Sequence, residues 1–302
     1  MPHVTFIHGI ANKPPADRLQ EEWLRTLANA GLDLGVEGVT TRMVYWADVM
    51  HEAPEGIEAK VEAGVSGIAP DMAGNTDAPL SPTLSEAEFI AALSAKVGGV
   101  LAAKEEGQDI SNPNATLERI PLPWSVKKRF LQAYLRDVHH YLFNVENTPR
   151  VGETYRVQDI IRGRFVDALR HAPGGEPHIV VSHSMGTVIA YDCLKNVADC
   201  PTIDALITIG SPLGVDEVQD CLLPGWSRYD GYPASARNWL NFSDRLDPVC
   251  GFDARIADDF LVRGKLAVAD TMVRNTGAWR HSISQYLSRP EVLSAIRQEL
   301  GL

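Results

Sequence analysis

The sequence predicts an α/β fold, with a mostly parallel sheet of five or six strands and helices on both faces. Short runs rich in β-branched residues alternate with stretches whose apolar residues recur at helical spacing, which is typical of parallel strands covered by helices. The 302 residues, 45% hydrophobic and 22% charged, can bury a sizeable core. We therefore expect one domain over residues 1–302, in which residues 51–149 interrupt the alternation as an insertion.

The elements follow in order along the chain. The first strand is predicted in HVTFIHG, and the helix after it, ADRLQEEWLRTLANAG, has Leu19, Trp23, Leu24 and Leu27 at helical spacing. Gly31 ends that helix. Further strands are predicted in GVTTRMVYWADV, PHIVVSH, IDALITIGSP and ARNWLNFSD, and helices in QDIIRGRFVDALRHA and MGTVIAYDCLKNVADC. A weaker strand, LAVADTMVRN, precedes a terminal helix that Pro290 should kink or split.

The insertion over residues 51–149 is expected to be mainly helical and to pack over one end of the sheet. A Gly/Ala/Pro-rich passage precedes a helix predicted in SEAEFIAALSAKVGGVLAAKEE, and a loop then leads to a second helix, WSVKKRFLQAYLRDVHHYLFN. The second helix has an apolar face. Two interpretations stay open, a cap over a pocket or additional core. Under the first interpretation, an apolar surface over the pocket would consist of Trp124, Phe130, Leu131 and Tyr134. Under the second, the same side chains would belong to the core.

Composition narrows the range of partners. The formal net charge of −11 argues against nucleic acid or an anionic membrane as a main partner.

No secretory leader and no bilayer-spanning apolar run is visible, so we expect a cytoplasmic protein without a transmembrane segment. No cofactor or metal is expected, because the cysteines match no zinc spacing and His139 and His140 point in different directions on one helix. We expect reduced, mostly buried thiols at Cys193, Cys200, Cys221 and Cys250. Oligomeric state stays open.

The stretch VVSHSMGTVIAYD places Ser184 in a tight turn between a buried strand and a helix. In a strained strand-to-helix turn, side chains two residues away on either side would collide, and the small residues Ser182 and Gly186 occupy those places. The pattern is S-x-S-x-G, where G-x-S-x-G is more common. It predicts a nucleophilic serine. The alternative is a serine N-cap, although a cap needs no small residues on both sides.

A nucleophilic serine needs a base and an acid that orients the base. Both are expected on loops after later strands of the sheet. His281 is the only histidine after Ser184, which makes it the predicted base. In WLNFSDRLDPVCG, Asp247 is the preferred acid because Pro248 fixes its local backbone, and Asp244 is the second candidate. The structural alternatives are an Asp-Pro turn and a solvent-facing histidine at a helix start.

Acyl transfer also needs hydrogen-bond donors for an oxyanion. In FIHGIA, Gly9 would let the backbone approach a ligand closely, and the backbone N–H groups of Ile10 and Met185 are the predicted donors. His8 is expected to make structural hydrogen bonds. His183 is expected to point away from the tip of the turn and to take no part in catalysis.

Together these residues resemble the α/β-hydrolase superfamily, and most of all the lipase and esterase branch that includes GPI-inositol deacylase-like proteins. HG after the first strand, SHSMG at the turn, GSPLG, DRLDPV and RHSISQY occur in the expected order. The resemblance covers residues 1–50 and about 150–302. Two departures are the serine at 182, where glycine is usual, and the absence of antiparallel strands before the first strand, which implies a compact version of the fold.

The resemblance implies a serine hydrolase that cleaves carboxylic esters through an acyl-enzyme on Ser184. Asp247 would be the acid, His281 the base, and Ile10 and Met185 the oxyanion donors, with a small-molecule or lipid-like ester as substrate. Two alternatives stay open. The same residues serve acyltransferases, thioesterases and amidases, and a catalytically silent scaffold would bind a ligand or partner on the same fold.

Overall fold

The computed structural model describes residues 1–54, 86–96, 124–173, 177–222, 225–250, 253–276 and 279–302, with residues 124–130 described by their backbone alone. Six strands within these residues form one sheet, β1 (His3–Ile7), β2 (Thr40–Val44), β5 (His178–His183), β6 (Ile203–Ile209), β7 (Ala236–Ser243) and β8 (Ala269–Met272). The order is β2-β1-β5-β6-β7-β8, and every pairing is parallel. The predicted α/β fold class is confirmed.

The helices of the described residues alternate with these strands. They are α1 (Ala16–Asn29), α2 (Ala47–Met50), α3 (86–96), α4 (Trp124–Leu142), α5 (Val157–Arg170), α6 (Met185–Asn196), α7 (Asp216–Cys221), α8 (Ile283–Leu287) and α9 (Pro290–Leu300). The terminal helix is split into α8 and α9, because Pro290 fits the first turn of a helix but not its interior.

Two hydrophobic cores lie on opposite faces of the sheet. Side chains alternate between the faces along each strand, so Ile179 and Val181 pack with α1, α8 and α9, whereas Val180 packs with α4, α5 and α6. On α1, Leu19, Trp23 and Leu27 are buried against the first of these faces, as their spacing predicts. Helices therefore cover both faces, and the ends of the strands are left for loops.

The described part of α4 belongs to the main core. Tyr134 and Val138 are completely buried in it, and the Tyr141 hydroxyl donates a 2.6 Å hydrogen bond to Asp192 on α6. The side chains of Trp124 and Phe130 lie outside the described residues. So do residues 55–85 and 97–123, which include the Gly/Ala/Pro-rich passage, the end of the first predicted insertion helix and the loop after it.

A short hairpin that the sequence analysis did not predict closes the insertion. Strands β3 (Glu146–Arg150) and β4 (Glu153–Arg156) pair antiparallel around Gly152, whose φ of 82° suits a glycine in a tight turn. Both strands are short and mostly polar, and therefore lack the apolar alternation by which strands are recognised in a sequence.

In the part of the chain that the structure describes, no helix has both the length and the apolar character that crossing a bilayer requires. All four cysteines are free thiols, and burial raises the pKa of Cys200 to about 12 and that of Cys221 to about 11. These thiols are held protonated at neutral pH.

Candidate active site

The predicted site residues lie at the carboxyl ends of the strands, where the strand order reverses. The chain leaves β1 toward β2 on one side, and it continues from β5 toward β6 on the other. Ligands of open α/β sheets bind in the crevice at such a switch point. The loop after β1 carries His8, Gly9 and Ile10, and the turn after β5 carries Ser184. Predicted site residues therefore lie on both sides of this switch point.

Ser184 occupies a strained turn between β5 and α6. Its φ of 53° and ψ of −128° are rare for a residue with a side chain, and such strain costs of order 1–3 kcal/mol and tends to occur at functional sites. Its backbone N–H donates to the Ile209 carbonyl at 3.0 Å. Its side chain makes no capping hydrogen bond to α6, so the N-cap alternative lacks the contact that defines a cap.

The small neighbours of the turn fill the places that the sequence pattern assigned to them. A Cβ on Gly186 would lie 2.6 Å from the His8 carbonyl oxygen and 2.8 Å from that of Ile7, so no larger residue fits against the end of β1. Ser182 is completely buried and its hydroxyl donates to the Ile207 carbonyl at 3.0 Å. The serine at this position therefore satisfies its hydroxyl within the sheet.

His281 and Asp247 form a buried pair at the end of β7. His281 Nδ1 lies 2.9 Å from Asp247 Oδ2, and the two side chains are 3% and 0% exposed. The Val249 N–H and the Tyr286 hydroxyl also donate to this carboxylate, at 2.8 Å and 2.7 Å. Burial alone would raise the pKa of Asp247, but His281 and these hydrogen bonds outweigh it and lower the pKa to about 2. Asp247 is therefore an anion, and it accepts a hydrogen bond from the Nδ1–H group of His281.

Asp244, the second candidate acid, has other partners. Its side chain accepts the N–H groups of Leu246 and Asn275 at 2.7 Å and 2.6 Å, and Arg280 lies 3.5 Å away. Its pKa is raised, because burial outweighs these contacts. The carboxylate that faces the His281 ring is thus that of Asp247, and Asp244 ties the loop after β7 to the loop before α8.

His183 is hydrogen-bonded to His281 and packs against its ring. Its Nε2 donates to the His281 carbonyl at 2.9 Å, and the two rings pack with their centres 4.7 Å apart. Burial, aided by the proximity of His281, lowers the pKa of His183 well below the ordinary histidine value, so the ring is neutral. His183 lies on the α1 face beside Trp23, and it contacts His281, the predicted base. Sequence reasoning gave it no such role.

The Ser184 hydroxyl makes no hydrogen bond to this pair. Ser184 is 1% exposed, and its Oγ has no hydrogen-bond partner among the described residues. The turn is nevertheless adjacent, because Ile209 accepts the Ser184 N–H and a Cβ on the next residue, Gly210, would lie 3.2 Å from His281 Nδ1. In catalytic sites without substrate, the bond between nucleophile and base is often long and tightens on binding.

The loop after β1 is held by hydrogen bonds to His8. Its Nδ1 donates to the Gly9 carbonyl at 2.8 Å and its Nε2 accepts the Trp46 N–H at 3.0 Å. Because a peptide N–H points opposite to its carbonyl, the first bond fixes the direction of the Ile10 N–H, a predicted oxyanion donor. Burial, with the charge of Lys13, lowers the pKa of His8 to about 3. His8 is therefore a neutral, structural hydrogen-bonder.

Met185, the other predicted donor, is the first residue of α6. The N–H groups of the first helical turn have no acceptor within their helix. The Met185 N–H therefore has no acceptor within α6, as the predicted role of oxyanion donor requires.

A buried carboxylate on the insertion also holds the loop after β1. The Ala11 N–H donates to Asp137 Oδ2 at 2.7 Å, and Ala11 has a φ of 68°. Arg136 Nε and Nη2 donate to Asp137 Oδ1 at 3.0 Å and 2.8 Å, and Arg136 in turn contacts His51 at 2.9 Å. Sequence reasoning missed Asp137. The available signal was its position on the apolar face of the predicted helix, three residues after Tyr134 and four before Tyr141.

Comparison with known proteins adds little to this geometry. No family model and no curated protein matches the chain. Among solved structures, the chain is similar to an uncharacterized protein from Pseudomonas aeruginosa, with 10% identity and a TM-score of 0.27. The likeness covers 86% of this chain and 37% of the other. The chain thus spans little more than a third of that protein's length.

Proposed function

We propose that this protein is a serine hydrolase that cleaves carboxylic esters through an acyl-enzyme on Ser184. One observation carries the proposal, the buried pair of His281 and Asp247 next to the strained turn that holds Ser184. A histidine oriented by a carboxylate is the base that a serine needs to become a nucleophile. A purely structural turn requires neither the strained serine nor the oriented histidine.

The chemistry proceeds in two steps. His281 Nε2 takes the proton of the Ser184 hydroxyl as Oγ attacks the ester carbonyl, and Asp247 stabilises the imidazolium that results. The tetrahedral intermediate collapses as His281 returns that proton to the leaving alcohol. Water then attacks the acyl-enzyme with His281 again as base, and the acid product leaves with Ser184 regenerated. Asp247 keeps its charge throughout, as its pKa of about 2 requires at neutral pH.

The oxyanion of each tetrahedral intermediate would accept hydrogen bonds from the Ile10 and Met185 N–H groups. His8 and Asp137 support this role by fixing the two peptide units on either side of Ile10. The Ala11 N–H is already donated to Asp137, which leaves the Ile10 N–H as the donor of this loop. Donors fixed before the reaction stabilise the developing charge without reorganisation.

The decisive experiment combines hydrolysis with covalent labelling. Wild-type protein should hydrolyse p-nitrophenyl esters and react with a fluorophosphonate, with the label mapped by mass spectrometry to Ser184. Ser184→Ala should lose both, with a fall in kcat of at least about 10⁴, while Ser288→Ala, an exposed serine on the surface, should keep both. A p-nitrophenyl thioester and an anilide in the same panel distinguish esterase from thioesterase and amidase activity.

Two results would contradict the proposal. Unchanged turnover in folded Ser184→Ala would remove Ser184 as the nucleophile. A wild-type protein that hydrolyses nothing in the panel and takes up no label would be a silent scaffold. We further propose small or lipid-like esters as substrates and the cytoplasm as the place of action, the latter from the sequence alone.

A further inference from the structure

A cleft of about 340 Å³ lies between α1 and α8. Its walls are apolar, with Leu19 and Trp23 on the α1 side and Ile283 and Leu287 on the α8 side. Binding sites for small ligands have volumes of about 300–1,000 Å³ and mostly apolar linings. The cleft is therefore large enough for a small apolar ligand and has the matching surface.

Three residues of the cleft lining, His8, Gly9 and His183, belong to the loop after β1 and the end of β5 that adjoin the predicted catalytic serine. Ser184 itself is not part of the lining. A Cβ on Gly9 would lie 2.7 Å from Ser184 Cβ, 3.2 Å from Ser184 Oγ and 3.3 Å from His183 Nδ1. Gly9 therefore packs directly against the Ser184 side chain, so the cleft begins one residue away from the Ser184 hydroxyl.

In a bound ester, the alcohol part and the acyl part extend in different directions from the carbonyl carbon that Ser184 would attack. The alcohol half must face His281, which protonates it, whereas the acyl half lies away from the base. The cleft is lined by the predicted oxyanion loop and by His183, and His281 is not part of its lining. We propose, on the basis of the proposed function, that this cleft binds the acyl chain of the ester substrate.

The chemistry of the cleft favours an unbranched hydrocarbon chain. Polar residues also line the cleft, Arg25, Thr26 and Asn29 on α1 and Ser284 on α8. Two charged residues, Lys13 and Glu22, also line the cleft, and both have other interaction partners. A chain that covers the walls removes apolar surface from water, and each added methylene strengthens binding while the chain contacts the apolar walls.

The test compares acyl chains on one common leaving group. Wild-type kcat/KM should rise from p-nitrophenyl acetate through butyrate and hexanoate to octanoate. Thr26→Trp and Ser284→Trp fill the cleft from opposite walls, so one informative variant remains if the other fails to fold. Each should lower the ratio of kcat/KM for octanoate to that for acetate by about tenfold or more, because a pocket that loses room for methylenes loses discrimination of that order.

Glu21→Trp is the matched control. It adds the same side chain to an exposed position of the same helix outside the cleft, and it should keep the wild-type ratio. Folded, active Thr26→Trp and Ser284→Trp with wild-type chain-length profiles would overturn the acyl site and leave the hydrolase proposal standing. A wild-type protein inactive on every ester would overturn both.

Discussion

Asp247 and Asp244 are three residues apart in the chain, yet they sit in different electrostatic surroundings. Asp247 is completely buried and faces the ring of His281, whose contact helps to lower its pKa to about 2. Asp244 accepts backbone N–H groups from two loops and has a raised pKa. The first carboxylate can orient and stabilise a charged base, whereas the second holds two loops together.

This difference predicts unequal effects of the same substitution. Asp247→Asn should lower kcat by about 10³–10⁴ with KM little changed, because an amide no longer selects the Nδ1-protonated ring or stabilises the imidazolium. Asp244→Asn should lower stability but keep kcat within about tenfold of wild type. Steady-state hydrolysis of p-nitrophenyl butyrate, with thermal unfolding as a check on the fold, measures both. Greater loss of kcat in Asp244→Asn would exchange the two roles.

At the scale of elements, α4 holds the loop after β1 in place through a hydrogen bond to Asp137. The helix is anchored at its far end by the Tyr141 hydroxyl on Asp192, and Asp137, one turn earlier, accepts the Ala11 N–H. Asp137 is completely buried and keeps a lowered pKa, because Arg136, His51 and the Ala11 N–H outweigh the cost of burial. The insertion thus takes part in shaping the predicted oxyanion site.

Asp137→Asn tests this positioning role. The amide removes the charge that Arg136 balances and weakens the bond to Ala11, so the Ile10 N–H should lose its fixed direction. Because loss of one oxyanion donor costs about 10²–10³ in rate, we expect a fall of about tenfold to a hundredfold in kcat, with KM nearly unchanged.

Tyr141→Phe is the control, since it removes a buried hydrogen bond from the same helix at a distance from the loop. It should lower the free energy of unfolding by about 1–3 kcal/mol and leave kcat at the wild-type level. Equal losses of kcat in the two variants would show that α4 acts through stability alone.

The sequence reveals those parts of the site that depend on local pattern. The turn at Ser184 is visible because small residues must flank it, and His281 is visible because no other histidine follows. The choice between Asp244 and Asp247 depends on how a loop folds onto another loop, which spacing does not encode. Tyr286 and Asp137 were not assigned for the same reason, since their partners are 39 and 126 residues away in the chain.

At the scale of the whole molecule, burial keeps several histidines neutral. It lowers the pKa of His3, His51 and His140 to about 4 and that of His8 to about 3, and it also lowers the pKa of His183. The unfolded chain binds protons at about pH 6.5, well before the folded state does. The stability that these residues contribute is therefore complete above pH 6.5 and is lost as pH falls toward 3–4.

Carboxyl groups whose pKa is raised by burial, Asp244, Asp253 and Asp259 among them, act in the opposite direction. Burial, with the nearby charge of Asp259, raises the pKa of Asp253 to about 6. Its folded state binds a proton before the unfolded state does, so its contribution to stability is complete below about pH 3.9 and is lost as pH rises through 6. These three carboxyl groups offset only part of the effect of the five histidines, and the net result is destabilisation by acid.

We therefore expect the free energy of unfolding, measured by urea titration, to be lower at pH 5 than at pH 7.5, with His8 alone accounting for about 2 kcal/mol of the difference. His3→Gln provides the comparison, because His3 starts β1 at the end of the strand opposite the predicted site and its Nδ1 bonds only to Thr40 at 2.8 Å among the contacts described. With one histidine fewer, the slope of unfolding free energy against pH should decrease between pH 6.5 and 4.5, while ester hydrolysis at pH 7.5 stays at the wild-type rate. Two results would contradict this prediction, an unfolding free energy that does not change from pH 7.5 to 5, or a pH slope that His3→Gln leaves unchanged. Either would mean that these histidines become protonated within the folded protein. Their burial would then not govern the response of the protein to acid.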